Sequence, residues 1–116
     1  MSGTATGKAE FKKRVRGWAE KLGAQVTSIS VRPMTTKWAS YSTTGRLTFD
    51  ASLLELREEL QDYVIAHELL HSHAPNHGKL WKSLMRAHLG DYERLESELR
   101  RVTSAQRKTV AKEPLQ

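Results

Sequence analysis

The chain has 116 residues, 38% of them apolar, a net charge of +6 and no cysteine. That length suits one domain with a modest core, and without cysteine neither disulfides nor thiolate zinc ligands can form. No apolar run approaches the ~18 residues of a membrane span, and residues 1–8 lack the apolar core of a secretion signal, so the expectation is a monomeric cytoplasmic protein with no membrane partner.

Residues 1–8 are expected to be disordered, residues 9–102 to form the single domain, and residues 103–116 to be a basic flexible tail. From Ala9 to Leu22, Phe11, Val15, Trp18, Ala19 and Leu22 recur at helical spacing. Lys12, Lys13, Arg14, Arg16 and Lys21 fall mostly elsewhere, and Gly23 is placed to end the helix. Thr27 to Met34 alternates, with Ile29 and Val31 on one side, as a half-buried strand does. Trp38–Tyr41 and Arg46–Asp50 read as two further strands around a polar turn, Ser42-Thr43-Thr44-Gly45. A short antiparallel sheet is the expected result, with Trp38 in the core. An exposed edge of such a sheet can accept an extended peptide as an added strand.

Asp50 or Ser52 is suited to cap a first turn around Leu53 and Leu54. A helix is then expected from Arg57 to His71. Leu53, Leu56, Leu60, Tyr63, Val64 and Leu70 share the face of its two histidines, and Ile65, Ala66 and Leu69 cover the other sides. A helix apolar all round is a buried helix. His67 and His71, four residues apart, lie one above the other on it. Glu68 is about 100° round from His67, near enough to hold a water without being a ligand. This is the H-E-x-x-H arrangement of zinc peptidases, in which the carboxylate is the general base. Two histidines and a glutamate inside a buried helix would be costly unless paired or metal-bound.

Six residues after His71 comes His77, beyond the turn formers Pro75 and Asn76, so the chain can fold back with a third ligand. Three protein ligands leave one tetrahedral position open, the mark of a catalytic zinc site. His73, two residues after His71, is expected at the rim. Gly78 to Leu89 is read as a helix with Trp81, Leu84, Met85 and His88 on one stripe, His88 being a core histidine, and Tyr92 to Val102 as a last, solvated helix.

Three blocks of the chain, in order, resemble the YgjP-like metallopeptidases, relatives of the SprT-like and WLM proteases. Arg32-Pro33-Met34-Thr35-Thr36-Lys37-Trp38-Ala39-Ser40, followed by Gly45-Arg46-Leu47-Thr48, is similar to that family's R-P-M-x-x-x-W-G-S segment and its following strand. Asp62 to His71 is similar to its metal helix, and Asn76-His77-Gly78-Lys79-Leu80-Trp81 to its N-H-x-x-x-W segment. The resemblance implies a minimal zincin-like α+β domain: an N-terminal helix, a short sheet, a buried metal-binding helix and two C-terminal helices. It implies one zinc ion per chain bound by His67, His71 and His77, with Glu68 as catalytic base. The chain departs from the family where Ala39 and Tyr41 replace the Gly and Cys of W-G-S-C, and in having only 31 residues before Arg32.

The function expected is a zinc-dependent peptidase acting on peptides or unfolded proteins through a metal-activated water. Tyr41, Tyr92 and His88 are its candidates for stabilising the developing oxyanion. Two alternatives stand beside it. Residues 1–50 carry nine Lys/Arg against three acids and residues 101–116 four against one, while residues 51–100 carry six against nine. Basic ends leave open weak nucleic-acid binding, and with it a DNA-associated protease, although solvated helix faces account for the same charges. The other alternative is a catalytically silent metal-binding module.

Overall fold

The computed structural model describes residues 7–74, 76 and 78–106, with side chains to residue 103. Its first element is helix α1 (Lys8–Leu22), which buries Phe11, Val15, Ala19 and Leu22 as one stripe. Gly23 ends it in the left-handed conformation, its N–H directed to the carbonyls of Ala19 and Glu20. Strands β1 (Ser28–Arg32), β2 (Ala39–Tyr41) and β3 (Arg46–Asp50) follow. A 3-10 turn (Ala51–Glu55) leads to α2 (Glu58–Leu69), which tightens into a second 3-10 turn (Leu70–Ser72). Helices α3 (Lys79–Leu89) and α4 (Tyr92–Gln106) complete the order.

The α+β class holds, and the sheet differs from expectation in one respect. Its order is β1-β3-β2, and it is mixed rather than antiparallel. β2 pairs with β3 as an antiparallel hairpin, while β1 runs parallel to β3 in the register Ser28 to Arg46 through Arg32 to Asp50. Parallel neighbours need a crossover rather than a hairpin. Residues 33–45 supply it by carrying the chain through β2 before it returns as β3. The Met34 amide donates to Asp50 Oδ1 (2.8 Å), which fixes the start of that path. Asp50 precedes the first 3-10 turn but makes no side-chain cap there, and Ser52 donates to its Oδ2.

Two links place the central helix. Phe49 of β3 meets Phe11 of α1 edge-to-face, with ring centroids 5.1 Å apart. Arg14 of α1 binds Gln61 and Asp62 on α2, and Trp18 Nε1 donates to Asp62 Oδ1 (2.9 Å). The fully buried Gln61 amide donates in turn to the Leu53 (2.8 Å) and Leu56 (3.0 Å) carbonyls. A buried amide satisfied at both ends avoids the desolvation cost of an unmet one, and here it fixes where α2 begins. Leu53 therefore lies in the preceding 3-10 turn and Leu56 just after it, neither of them on the helix. Trp38 is buried as expected and its Nε1 donates to Thr103 Oγ1 (3.0 Å). Thr103 donates to the Leu99 carbonyl (2.8 Å), so α4 continues past Val102, where the tail was expected to begin. Residues 1–6 and 107–116 of the expected flexible ends lie outside the described residues. No described helix is long and apolar enough to cross a membrane.

The hairpin turn depends on Gly45, whose φ is +90° and whose absent Cβ would sit 3.1 Å from both the Gln25 carbonyl oxygen and the Thr27 amide nitrogen. Gly45→Ala is expected to destabilise the protein by about 1–3 kcal/mol. Gly17, in the middle of α1 with nothing within 4 Å, serves as the contrast. Gly17→Ala is expected to stabilise by about 0.5–1 kcal/mol. Denaturant unfolding of both variants measures this, and a neutral Gly45→Ala would contradict the turn geometry.

Candidate metal centre

The middle and end of α2 are buried on every side: Tyr63, Val64, Ile65, Ala66, His67, Glu68 and Leu69 all lie in the interior. Helix α1, strand β2, α3 and α4 each pack against α2, so no face is left for water. His67 is 1% exposed and Glu68 7%, while His71, in the tighter turn after the helix, is half-buried. Helical spacing brings one ligand atom from each of these three residues within 4.8 Å of the others. Among the described residues they form the one such group of His and carboxylate side chains.

Packing fixes the imidazole of His67. Its ring stands 5.1 Å from Trp81, 5.2 Å from His71 and 5.7 Å from Tyr63, centroid to centroid. Trp81 in turn meets Tyr92 edge-to-face at 5.7 Å. Burial raises the Tyr63 phenol above its ordinary value, and its hydroxyl has no hydrogen-bond partner among the described residues.

The chain leaves the helix directly after His71. The His73 and Ala74 amides both donate to the Leu70 carbonyl (3.0 and 2.9 Å), and Ser72 Oγ donates to the Leu69 carbonyl (2.8 Å). His73 is exposed, as a rim residue should be, and its Nε2 lies 2.7 Å from the Leu22 carbonyl oxygen. His77 lies outside the described residues. On either side of it, Asn76 Oδ1 accepts from the Gly78 amide (3.0 Å) at the entry to α3.

Burial pushes the Glu68 carboxyl up to about 7, and the Lys37 ammonium draws it partly back. Two imidazoles with a buried carboxylate beside them are a group that suits a divalent cation. Imidazole donors without a thiolate suit a first-row divalent metal. The residues present therefore fit a metal ion.

Of the three candidates for an oxyanion donor, the structure brings one near the group. Tyr41 shares a cavity with His71, and its hydroxyl donates to the Gln25 carbonyl (3.0 Å). Tyr92 stands behind Trp81. His88 is half-buried with its ring 6.3 Å from Trp18. Lys37 was missed as a charge acting on Glu68. Its signal was its place next to Trp38, whose burial fixes that stretch, but exposure alone makes such a lysine look like solvated surface.

The sequence pattern of a family described as YgjP-like, metallopeptidase domain, matches residues 4–102. In structure the chain is similar to the metallopeptidase zymogen of Methanocaldococcus jannaschii jannalysin. That match has a TM-score of 0.69 at 30% identity and covers 82% of this chain and 96% of that one. It is also similar to the metallopeptidase zymogen of Pyrococcus abyssi abylysin, with a TM-score of 0.67 at 26% identity over 84% of this chain and 97% of that one. No curated protein matches the chain in sequence.

The raised Glu68 carboxyl makes stability of the metal-free protein depend on pH in a definite direction. In the unfolded chain it ionises near 4.5, in the folded chain near 7. Below 4.5 both states keep the proton and burial costs least. Between the two values the unfolded chain ionises first, so stability falls as pH rises, and above 7 the penalty is complete. Metal-free Glu68→Gln is therefore expected to exceed its parent in stability by on the order of 3 kcal/mol near pH 8, and to match it near pH 4. Denaturant unfolding in a chelating buffer decides this. A parent more stable than the variant near pH 8 would contradict the buried carboxyl.

Proposed function

We propose a peptide-hydrolysing function from one premise: this chain belongs to the YgjP-like metallopeptidase domain family. The observation that carries the reading is the His67–Glu68–His71 group, two of its members buried in α2 and the third half-buried in the turn that follows. In this reading His67 and His71 are zinc ligands, His77 is the third, and Glu68 stays outside the ligand set as general base. Zinc, when bound, would supply an activated water near neutral pH and a Lewis acid for the carbonyl oxygen.

The chain's own residues supply the rest. Glu68 takes a proton from the attacking water and returns it to the leaving amine. Trp81 and Tyr63 hold the His67 ring in place and exclude water from its sides. β2 is an edge strand beside α2, so an unfolded segment can pair with its free side and lie across the group. That both similar structures are metallopeptidase zymogens supports hydrolysis of peptide bonds over other amides.

Glu68→Gln is expected to reduce cleavage of casein by at least ~10²-fold while leaving zinc content near one per chain. His77→Ala should bind zinc much more weakly, and His73→Ala should bind it as the parent does. Metal analysis beside the cleavage assay tests both. Full activity in Glu68→Gln would remove the general base from the account, and metal loss in His73→Ala with retention in His77→Ala would reverse the ligand assignment.

A further inference from the structure

Beside the group on α2 lies a cavity of about 560 Å3, between the end of α1, the β2–β3 turn and the turn after α2. His71 is one of its walls, so the cavity and the metal-capable group share a side chain. The other walls come from the hydroxyl-bearing Tyr41, Ser42, Thr43, Thr44 and Ser72, from Gln25 and His73, and from two glycines. Among the described residues that line it there is no Lys, Arg, Asp or Glu, although 28% of the chain is charged.

The walls are held by bonds of their own. Tyr41 donates to the Gln25 carbonyl (3.0 Å), Thr27 Oγ1 donates to the Thr44 carbonyl (3.0 Å), and Ser42 Oγ and Thr44 Oγ1 are 2.9 Å apart. His73 ties the turn after α2 to the end of α1 through the Leu22 carbonyl. A cavity braced in this way is formed before a ligand arrives, which lowers the cost of ordering it. Each hydroxyl keeps donor or acceptor capacity beyond its wall bond.

We propose that this cavity receives one substrate side chain next to the scissile bond and selects uncharged hydrogen-bonding side chains: Ser, Thr, Asn or Gln. The proposal rests on the peptidase reading above. A charged side chain would find no Lys, Arg, Asp or Glu among the described lining residues to pair with. An aliphatic one would cover hydroxyls that it cannot satisfy. An amide or hydroxyl meets neither cost, and the volume leaves room for bridging water.

Gln25 is the position at which to test it. It is exposed, and it serves the wall through its backbone carbonyl, so its side chain can be exchanged without loss of that bond. The zinc-loaded protein, Gln25→Glu and Gln25→Lys are each given a peptide mixture, and the cut sites are read by mass spectrometry. The parent should enrich Ser, Thr, Asn and Gln at one position beside the cut. Gln25→Glu should move that same position towards Lys and Arg, and Gln25→Lys towards Asp and Glu, each by up to about fivefold. Cleavage without enrichment, or with enrichment that neither variant moves, overturns the pocket and leaves the peptidase reading standing. If nothing is cut, the peptidase reading has failed, and binding then decides for the cavity alone. N-acetyl-glutamine amide titrated into Glu68→Gln should shift the backbone amide resonances of Ser42 to Gly45 and of Ser72 more than the lysine or leucine analogue does. Equal or absent shifts overturn the proposal.

Discussion

The constraint on which this structure turns is the burial of a carboxyl and an imidazole in a stretch of helix, Tyr63 to Leu69, with no residue open to solvent. Glu68 and His67 are almost wholly removed from water, and each would be cheaper to replace by an apolar residue if packing were the only demand on α2. The neighbouring positions of the helix are consistent with that economy. Tyr63, Val64, Ile65, Ala66, Leu69 and Leu70 fill the neighbouring positions with no other ionisable carboxyl or amine among them. A buried carboxyl that costs stability when metal-free belongs to chemistry rather than to folding.

Everything around α2 serves to place that group. The Arg14–Asp62 pair and the Gln61 amide fix the helix start from two directions, through α1 and through the preceding 3-10 turn. Arg14 and Asp62 are both partly exposed, so the pair adds little energy by itself. Its contribution is register, since one residue of slip along α2 would turn His67 and His71 by about 100° and part them from Trp81. At the other end the helix tightens after Leu69 and the chain departs at once, leaving His71 at the mouth rather than under another turn. The site is thus closed behind His67 and open beside His71.

The His67–Glu68–His71 group was legible in the sequence because its pattern is local. His67, Glu68 and His71 fall within five residues, and helical geometry alone puts them together. Helix α1 was legible for the same reason, its stripe and its terminal glycine being contiguous signals. The parallel pairing of β1 with β3 was not, because an alternating strand reports which face is buried and says nothing of direction. That direction follows from the return of the chain through β2, fixed by Met34 on Asp50 and Thr27 on Gly45. The Arg14–Gln61–Asp62 cluster joins positions 47 and 48 residues apart, and no periodicity reaches that far. Lys37 and the polar cavity belong with these, being products of the tertiary fold.

The measurement that tests the central claim most directly is X-ray absorption at the zinc edge of the metal-loaded protein. The account predicts one zinc per chain with three imidazole nitrogens at ~2.0–2.1 Å and no protein carboxylate among its ligands, unchanged in Glu68→Gln. A carboxylate in the coordination sphere that disappears in Glu68→Gln, or fewer than three imidazoles, would contradict it, because Glu68 would then be a ligand and could not be the base.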